Sequence, residues 1–243
     1  MLEESFKIRY SEMSPEGYLP VWVLQGYLME SASADAHNLS FGMEEFAKDG
    51  INWVVARLQL NLLKRVTSRQ TLKIKTWHCQ SDKFQSIREF LVCDEQGSTV
   101  AAGVSWWLII DLTTRKIVRT PQALLDANGK TPPSQTQAKV YRNPSFEGKP
   151  PLYQTTVIAR REDIDTNGHV NNMHFTAWAL EALPQEFCKG KELKDLFVNF
   201  KNEMLEDDIV EVSVYPEGEN VFWHILKRRS DGKEVSSIRT QWV

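Results

Sequence analysis

Asp163-Ile-Asp-Thr-Asn-Gly-His-Val-Asn-Asn172 runs into a stretch where Val170, Met173, Ala177 and Leu180 recur at helical spacing, with Pro184 as the expected end. The same arrangement stands earlier in the chain. Adding 151 to Glu16-Gly17-Tyr18-Leu19 lays it on Asn167-Gly168-His169-Val170, and the same offset carries Tyr27 onto Trp178 and Glu30 onto Glu181. Val100 to Trp107 then matches Val235 to Trp242 at an offset of 135, because the second half has shorter loops. Each half reads as a strand, a turn ending in Gly, a helix, and four strands. In the first half Pro20 is the expected first helical residue, with Leu24, Tyr27 and Leu28 on one face. Thr71 to Trp77 and Ile209 to Tyr215 alternate with period two, as half-buried strands do. Asp94 to Gly97 and Ser230 to Gly232 read as hairpin turns. The expected class is α+β: a tandem of two units, each an antiparallel sheet wrapped around a long central helix.

Between the halves, Asn128 to Pro151 gathers Gly129, Pro132, Pro133, Pro144, Gly148, Pro150 and Pro151, with a polar run from Ser134 to Lys139. That composition predicts a linker laid over the surface. The expected division is 1–130, a linker at 131–150, and 151–243. With 243 residues the chain can bury a substantial core, and 42% hydrophobic with 25% charged residues is ordinary globular composition. A net charge of −3 argues against nucleic acid and against a simple electrostatic membrane anchor. Cys79, Cys93 and Cys188 form no C-x-x-C pair and suggest no disulfide framework. Met1 to Tyr10 lacks the apolar core of a signal peptide, and the most apolar segment, Val104 to Ile110, is strand length. A cytoplasmic location is the expectation.

Polar groups crowd the mouth of the second predicted helix, where unpaired N–H groups could hold a carbonyl oxygen as it becomes an oxyanion. Gly168 is expected to let the backbone approach a ligand. Asp-x-Asp-x-Asn-x-His-Val-Asn-Asn, followed by Trp178 and Glu181, resembles the acyl–acyl carrier protein thioesterase family of plants and bacteria. In the first half, Tyr27-Leu-Met-Glu30 with His37, Trp53-Val-Val-Ala-Arg57, Thr76-Trp77, Ser105-Trp-Trp-Leu-Ile-Ile-Asp111, Thr114-Arg115 and Arg119-Thr-Pro121 resemble it too. The likeness covers nearly the whole chain except the linker.

The resemblance implies a double hotdog fold with chemistry in the second unit. It implies catalytic roles for Asp165, Asn167 and His169, and for a Glu on the following strand, matched by Glu203 of Phe200-Lys-Asn-Glu203. Where plant members carry a Cys after that Glu, this chain has Met204, and a thioether cannot supply a thiolate. A carboxylate-and-water mechanism is therefore favoured. Glu203 is the candidate base or water-holder. Asp165 could orient the water or His169, while Asn167 and His169, with a backbone N–H near Gly168, could hold the carbonyl. Val170, Asn171 and Asn172 complete the candidate substrate-binding loop, the two Asn reading as capping and turn residues.

Each candidate also has a plainer reading: Asp165 as a helix cap, Glu203 as part of a solvated run with Glu206, Asp207 and Asp208. Asp163 and His174 suggest a metal reading, but His169 and His174 are five apart, which misses the spacing of a helical zinc pair, so neither metal nor cofactor is expected. Ser14, Glu16 and Tyr18 replace the acid–amide–His set in the first half, implying one active site per chain. The first unit would then shape the acyl pocket, with Trp22, Leu24, His37 and Trp53 as candidates.

The expected partner is an acidic acyl carrier protein, for which Arg160-Arg161, Arg115-Lys116 and Lys64-Arg65 are candidate docking charges. Alternatives are an acyl-coenzyme A thioesterase and a non-catalytic acyl-binding sensor. A hotdog hydratase is excluded by Ile164, which stands where its Asp would be, five before His169. Either a monomer or a homodimer suits a tandem chain.

Overall fold

A computed structural model describes residues 1–67, 70–136 and 138–243. The chain divides into two compact units, Met1–Lys139 and Val140–Val243. In the first, strand β1 (Leu2–Lys7) leads to helices α1 (Val21–Asn38) and α2 (Met43–Lys48). Strands β2 (Ile51–Leu62), β3 (Thr71–Ser81), β4 (Gln85–Cys93) and β5 (Thr99–Asp111) follow, then the short helix α3 (Gln122–Leu125). All pairings are antiparallel, in the order β1-β3-β4-β5-β2.

The second unit repeats the plan. Strand β6 (Tyr153–Ile158) leads to α4 (Asn172–Glu181) and α5 (Gln185–Cys188). Strands β7 (Leu193–Phe200), β8 (Ile209–Gly218), β9 (Val221–Arg228) and β10 (Glu234–Trp242) follow, in the order β6-β8-β9-β10-β7. The order within the two sheets is the same, and β5 and β10 are the strands that the 135-residue offset superposes.

The repeat extends to the turn before each helix. Ser14 N–H donates to Tyr18 O at 2.9 Å and Gly17 N–H to Ser14 O at 2.9 Å; Asp165 N–H donates to His169 O at 2.8 Å and Gly168 N–H to Asp165 O at 3.0 Å. Gly17 and Gly168 have φ of 80° and 79°, the left-handed region that a side chain disfavours.

Burial follows the periodicities. On α1, Leu24, Leu28 and Ala32 are buried, and the helix packs on β3, whose Leu72 and Ile74 are buried as well. Val210, Val212 and Val214 of β8 are fully buried in the second unit, alternating with more exposed neighbours. Pro20 is not the first helical residue: with ψ of 145° it is the N-cap, and helix α1 begins at Val21. The α1 stripe also buries Asp35, whose Oδ2 accepts from Arg88 Nη1 at 2.7 Å. Arg88 Nη1 also donates to Thr76 Oγ1 at 3.1 Å.

The segment expected as a linker is held by hydrogen bonds in the first unit and by ring packing in the second. The amides of Gln135 and Thr136 donate to the buried carboxylate of Glu89 at 2.7 and 2.6 Å. Tyr141 packs edge-on against Phe197, and Phe146 stacks on Tyr215 with centroids 4.2 Å apart. Gln137, within the polar run, lies outside the described residues.

Two buried histidines set an acid limit on stability. His224, fully buried on β9 with Nε2 3.0 Å from Thr240 Oγ1, is pushed down to about 3 by burial. Burial, then the charge of Arg88, lowers His78 to about 4. Each native ring refuses a proton that the unfolded chain accepts below its ordinary value of 6.5. Their contribution is therefore complete above that value and is lost as pH falls towards the folded values. The slope approaches about 1.4 kcal/mol per pH unit for each ring. Urea midpoints should fall steadily between pH 7 and pH 5; a midpoint that stays flat over that range would contradict this reading.

Candidate active site

The connection from β6 to α4 builds the site. It opens on a tight turn at Arg161–Asp163, closed by Arg160 N–H donating to Asp163 Oδ2 at 2.7 Å. The glycine turn follows, and Asp165 Oδ1 accepts from Asn167 N–H at 2.8 Å. A Cβ at Gly168 would meet nothing within 4 Å, so glycine serves the positive φ here and is not required for room. Val170 N–H donates to Met204 O and Asn171 N–H to Asp163 O, both at 2.8 Å. Asn171 then caps α4, its Oδ1 accepting from Met173 N–H at 3.1 Å. Capping thus belongs to Asn171, and the Asp165 carboxylate braces the preceding turn instead.

The structure brings His169 and Glu203 together, with Nε2 3.2 Å from Oε2. His169 is half-buried and Glu203 faces solvent on one side, with side chains 29% and 45% exposed. Glu203 does not lie on the strand where the family likeness put it. Strand β7 ends at Phe200, and Glu203 sits on the loop before β8. That loop is organised: Asp208 Oδ2 accepts from Leu205 N–H at 2.9 Å, and Met204 is fully buried. The neighbouring acidic run is therefore structural in part rather than simply solvated.

Asp165 and Asn167 share the loop with His169, with Asn167 at its exposed tip. The carboxylate of Asp165 turns to the amide of Asn167. The N–H of Gly168 is occupied by Asp165 O. Among the described residues, no backbone acceptor is recorded for the amide of His169.

Sequence reasoning weighed Asp163 and His174 only as metal ligands. They form a pair, His174 Nδ1 3.2 Å from Asp163 Oδ1, that ties the start of the loop to α4. It also passed over Arg228, whose Nη1 donates to the backbone carbonyl of Glu203 at 2.8 Å. Its one sequence signal is an Arg three residues before Asp231 at a hairpin turn.

The remaining candidates lie in the first unit. Leu24 is buried on α1, with Trp22 half-buried near it in the chain. Trp53 packs on Phe46 with centroids 5.2 Å apart and donates its Nε1–H to Phe41 O at 2.8 Å. His37 is exposed, its Nδ1 3.6 Å from Glu45 Oε1. With Glu44 these form the one group of three or more His, Cys, Asp or Glu residues among the described residues whose ligand atoms lie within 4.8 Å of one another.

The architecture has close counterparts. An acyl-ACP thioesterase from Bacteroides thetaiotaomicron superposes with a TM-score of 0.89 at 22% identity, covering 99% of this chain and 97% of that one. The 12:0-ACP thioesterase from Umbellularia californica gives 0.86 at 21%, covering 100% and 96%. At these identities the likeness establishes the tandem hotdog fold. In sequence, the chloroplastic oleoyl-acyl carrier protein thioesterase 2 of Arabidopsis thaliana is 25% identical over 99% of this chain and 76% of its own length. The chloroplastic palmitoyl-acyl carrier protein thioesterase of Cuphea hookeriana is 26% identical over 100% and 62%. The acyl-ACP thioesterase N-terminal domain model matches residues 1–127 and the C-terminal domain model residues 152–243. With both halves matched in order, the loop that carries His169 inside the second match, the chain belongs to the acyl-ACP thioesterase family.

Proposed function

We propose that this chain hydrolyses the thioester of fatty acyl–acyl carrier protein, releasing free fatty acid and ending chain elongation. The family supports the reaction, and the His169–Glu203 pair at 3.2 Å is the observation that carries the mechanism. Water attacks the thioester carbon. The pair accepts the water's proton, with Glu203 as the base and His169 held against it. The developing oxyanion takes the His169 amide and the Asn167 side chain as donors. Collapse breaks the C–S bond, and the proton leaves with the carrier's thiolate. The products are a carboxylic acid and the carrier's free thiol, which balances the added water. Asp165 acts by bracing the turn, while Gly168, Val170, Asn171 and Asn172 set its path into α4.

The first unit, through Leu24 and Trp22, gauges the acyl chain. The proposal includes a cytoplasmic location, on the strength of the three scattered cysteines; the plant relatives named above are chloroplastic. It also includes a monomeric or homodimeric chain. Among the described residues, no helix is long and apolar enough to cross a membrane.

Thiol release should be measured from a panel of acyl–acyl carrier proteins and from the matching acyl-coenzyme A esters. Faster release from the carrier protein is the expected result. Release from coenzyme A alone would keep the chemistry and overturn the partner. Tight acyl binding with no release from either would point to a sensor.

A further inference from the structure

We infer that Arg228 is a positioning residue of the active site, holding the carboxylate of Glu203 at His169 by way of the Glu203 backbone. The inference rests on the reading of His169 and Glu203 as the catalytic pair. Glu203 lies beyond the end of β7, so no strand ladder fixes its backbone. Two contacts to successive carbonyls hold it instead. Glu203 O accepts from Arg228 Nη1 at 2.8 Å, and Met204 O accepts from Val170 N–H, next to His169, at 2.8 Å. The second bond registers the loop against the His169 turn. The first fixes the peptide whose Cα bears the reacting carboxylate.

Arg228 can do this because its own guanidinium is locked. Nε donates to Asp231 Oδ1 at 3.1 Å and Nη2 to Asp231 Oδ2 at 2.7 Å, a two-bond grip that sets the plane and aims Nη1 at Glu203. Asp208 Oδ2, on the far side of the same loop, stands 3.7 Å from Nη1. Asp231 is itself held by the hairpin at the end of β9, where Lys233 N–H donates to its Oδ1 at 3.1 Å and Gly232 N–H donates to Arg228 O at 2.9 Å. These bonds raise Arg228 and depress Asp231, so both stay charged at any working pH. A lysine has one nitrogen where this geometry needs three, so it cannot replace the fork.

The test is kinetic, by thiol release from the preferred acyl–acyl carrier protein. Arg228→Gln should lower kcat by about tenfold to a hundredfold, the usual consequence of losing an outer-shell partner or of shifting a reacting group by about 1 Å. KM should stay within about threefold, because binding groups are untouched. Arg228→Lys should recover only part of the loss. In a Glu203→Gln background, Arg228→Gln should cost nothing further, since the group it positions is already gone. Circular dichroism and the melting temperature check folding; if Arg228→Gln does not fold, Asp231→Asn enters the same cycle, with a smaller loss expected. Native kcat in Arg228→Gln, with Glu203→Gln slow, overturns the positioning role and leaves the site reading intact. Additive losses in the double variant also overturn it, because Arg228 would then act elsewhere. Full activity in Glu203→Gln removes the site reading and this inference together.

Discussion

Glu203→Gln is expected to lower kcat by about a hundredfold to ten-thousandfold, the span that general-base catalysis usually supplies. The amide keeps the shape of the carboxylate and can still meet His169 Nε2, now 3.2 Å away. What it cannot do is accept a proton from water. KM should therefore change little, because the interaction lost belongs to the transition state. His169→Ala should cost a comparable factor, since it removes the ring that orients Glu203. The two losses should not add, as both variants disable one acid–base unit. A thiol route is no substitute in this loop: the neighbouring residue is Met204, fully buried, with its carbonyl committed to Val170. Steady-state kinetics on the two single variants and the double variant decide the matter. A Glu203→Gln enzyme turning over at the native rate would remove Glu203 from the chemistry.

The second large effect concerns the fold of the first unit. Asp35→Ala should destabilise it by about 3–5 kcal/mol, because it strands the buried charge of Arg88. Burial pulls the Arg88 guanidinium below its ordinary value, and Asp35 is the main influence opposing that pull. Thr76 Oγ1 alone cannot compensate a charge. Replacing both partners by apolar residues of similar size, Asp35→Leu with Arg88→Met, should cost far less than either single change. Urea unfolding followed through first-unit tryptophans such as Trp77 reads the difference. Equal losses in the single and double variants would show that the ion pair is not what stabilises this region.

Much of this was legible in the chain, and the boundary of legibility has physical causes. The alternation of Ile209 to Tyr215 encodes β8 directly, because one face of a strand must be apolar. The repeated Gly17 and Gly168 mark the two turns, because few residues other than glycine sit comfortably at φ near 80°. Helix starts were less exact. Pro20 satisfies N-cap and first-turn requirements almost equally, and Asn171 outcompeted Asp165 as a cap only once the loop had closed. The Asp35–Arg88 pair was invisible, since it joins residues 53 apart, one on α1 and the other on β4. Arg228 was hidden for the same reason. Its role depends on which carbonyl the β7–β8 loop presents, and sequence spacing carries no information about that.

The two glycine turns have a consequence for how such a protein can change over generations. They share their main-chain bonds and one backbone angle, and in the second unit the Asp165 carboxylate adds a brace that Ser14 does not repeat. Side chains at the three key positions take no part in those main-chain bonds. The turn therefore tolerates Ser14, Glu16 and Tyr18 in one unit and Asp165, Asn167 and His169 in the other. A duplicated unit of this kind can lose its reaction and keep its form, and the retired copy is then free to be recruited to another task.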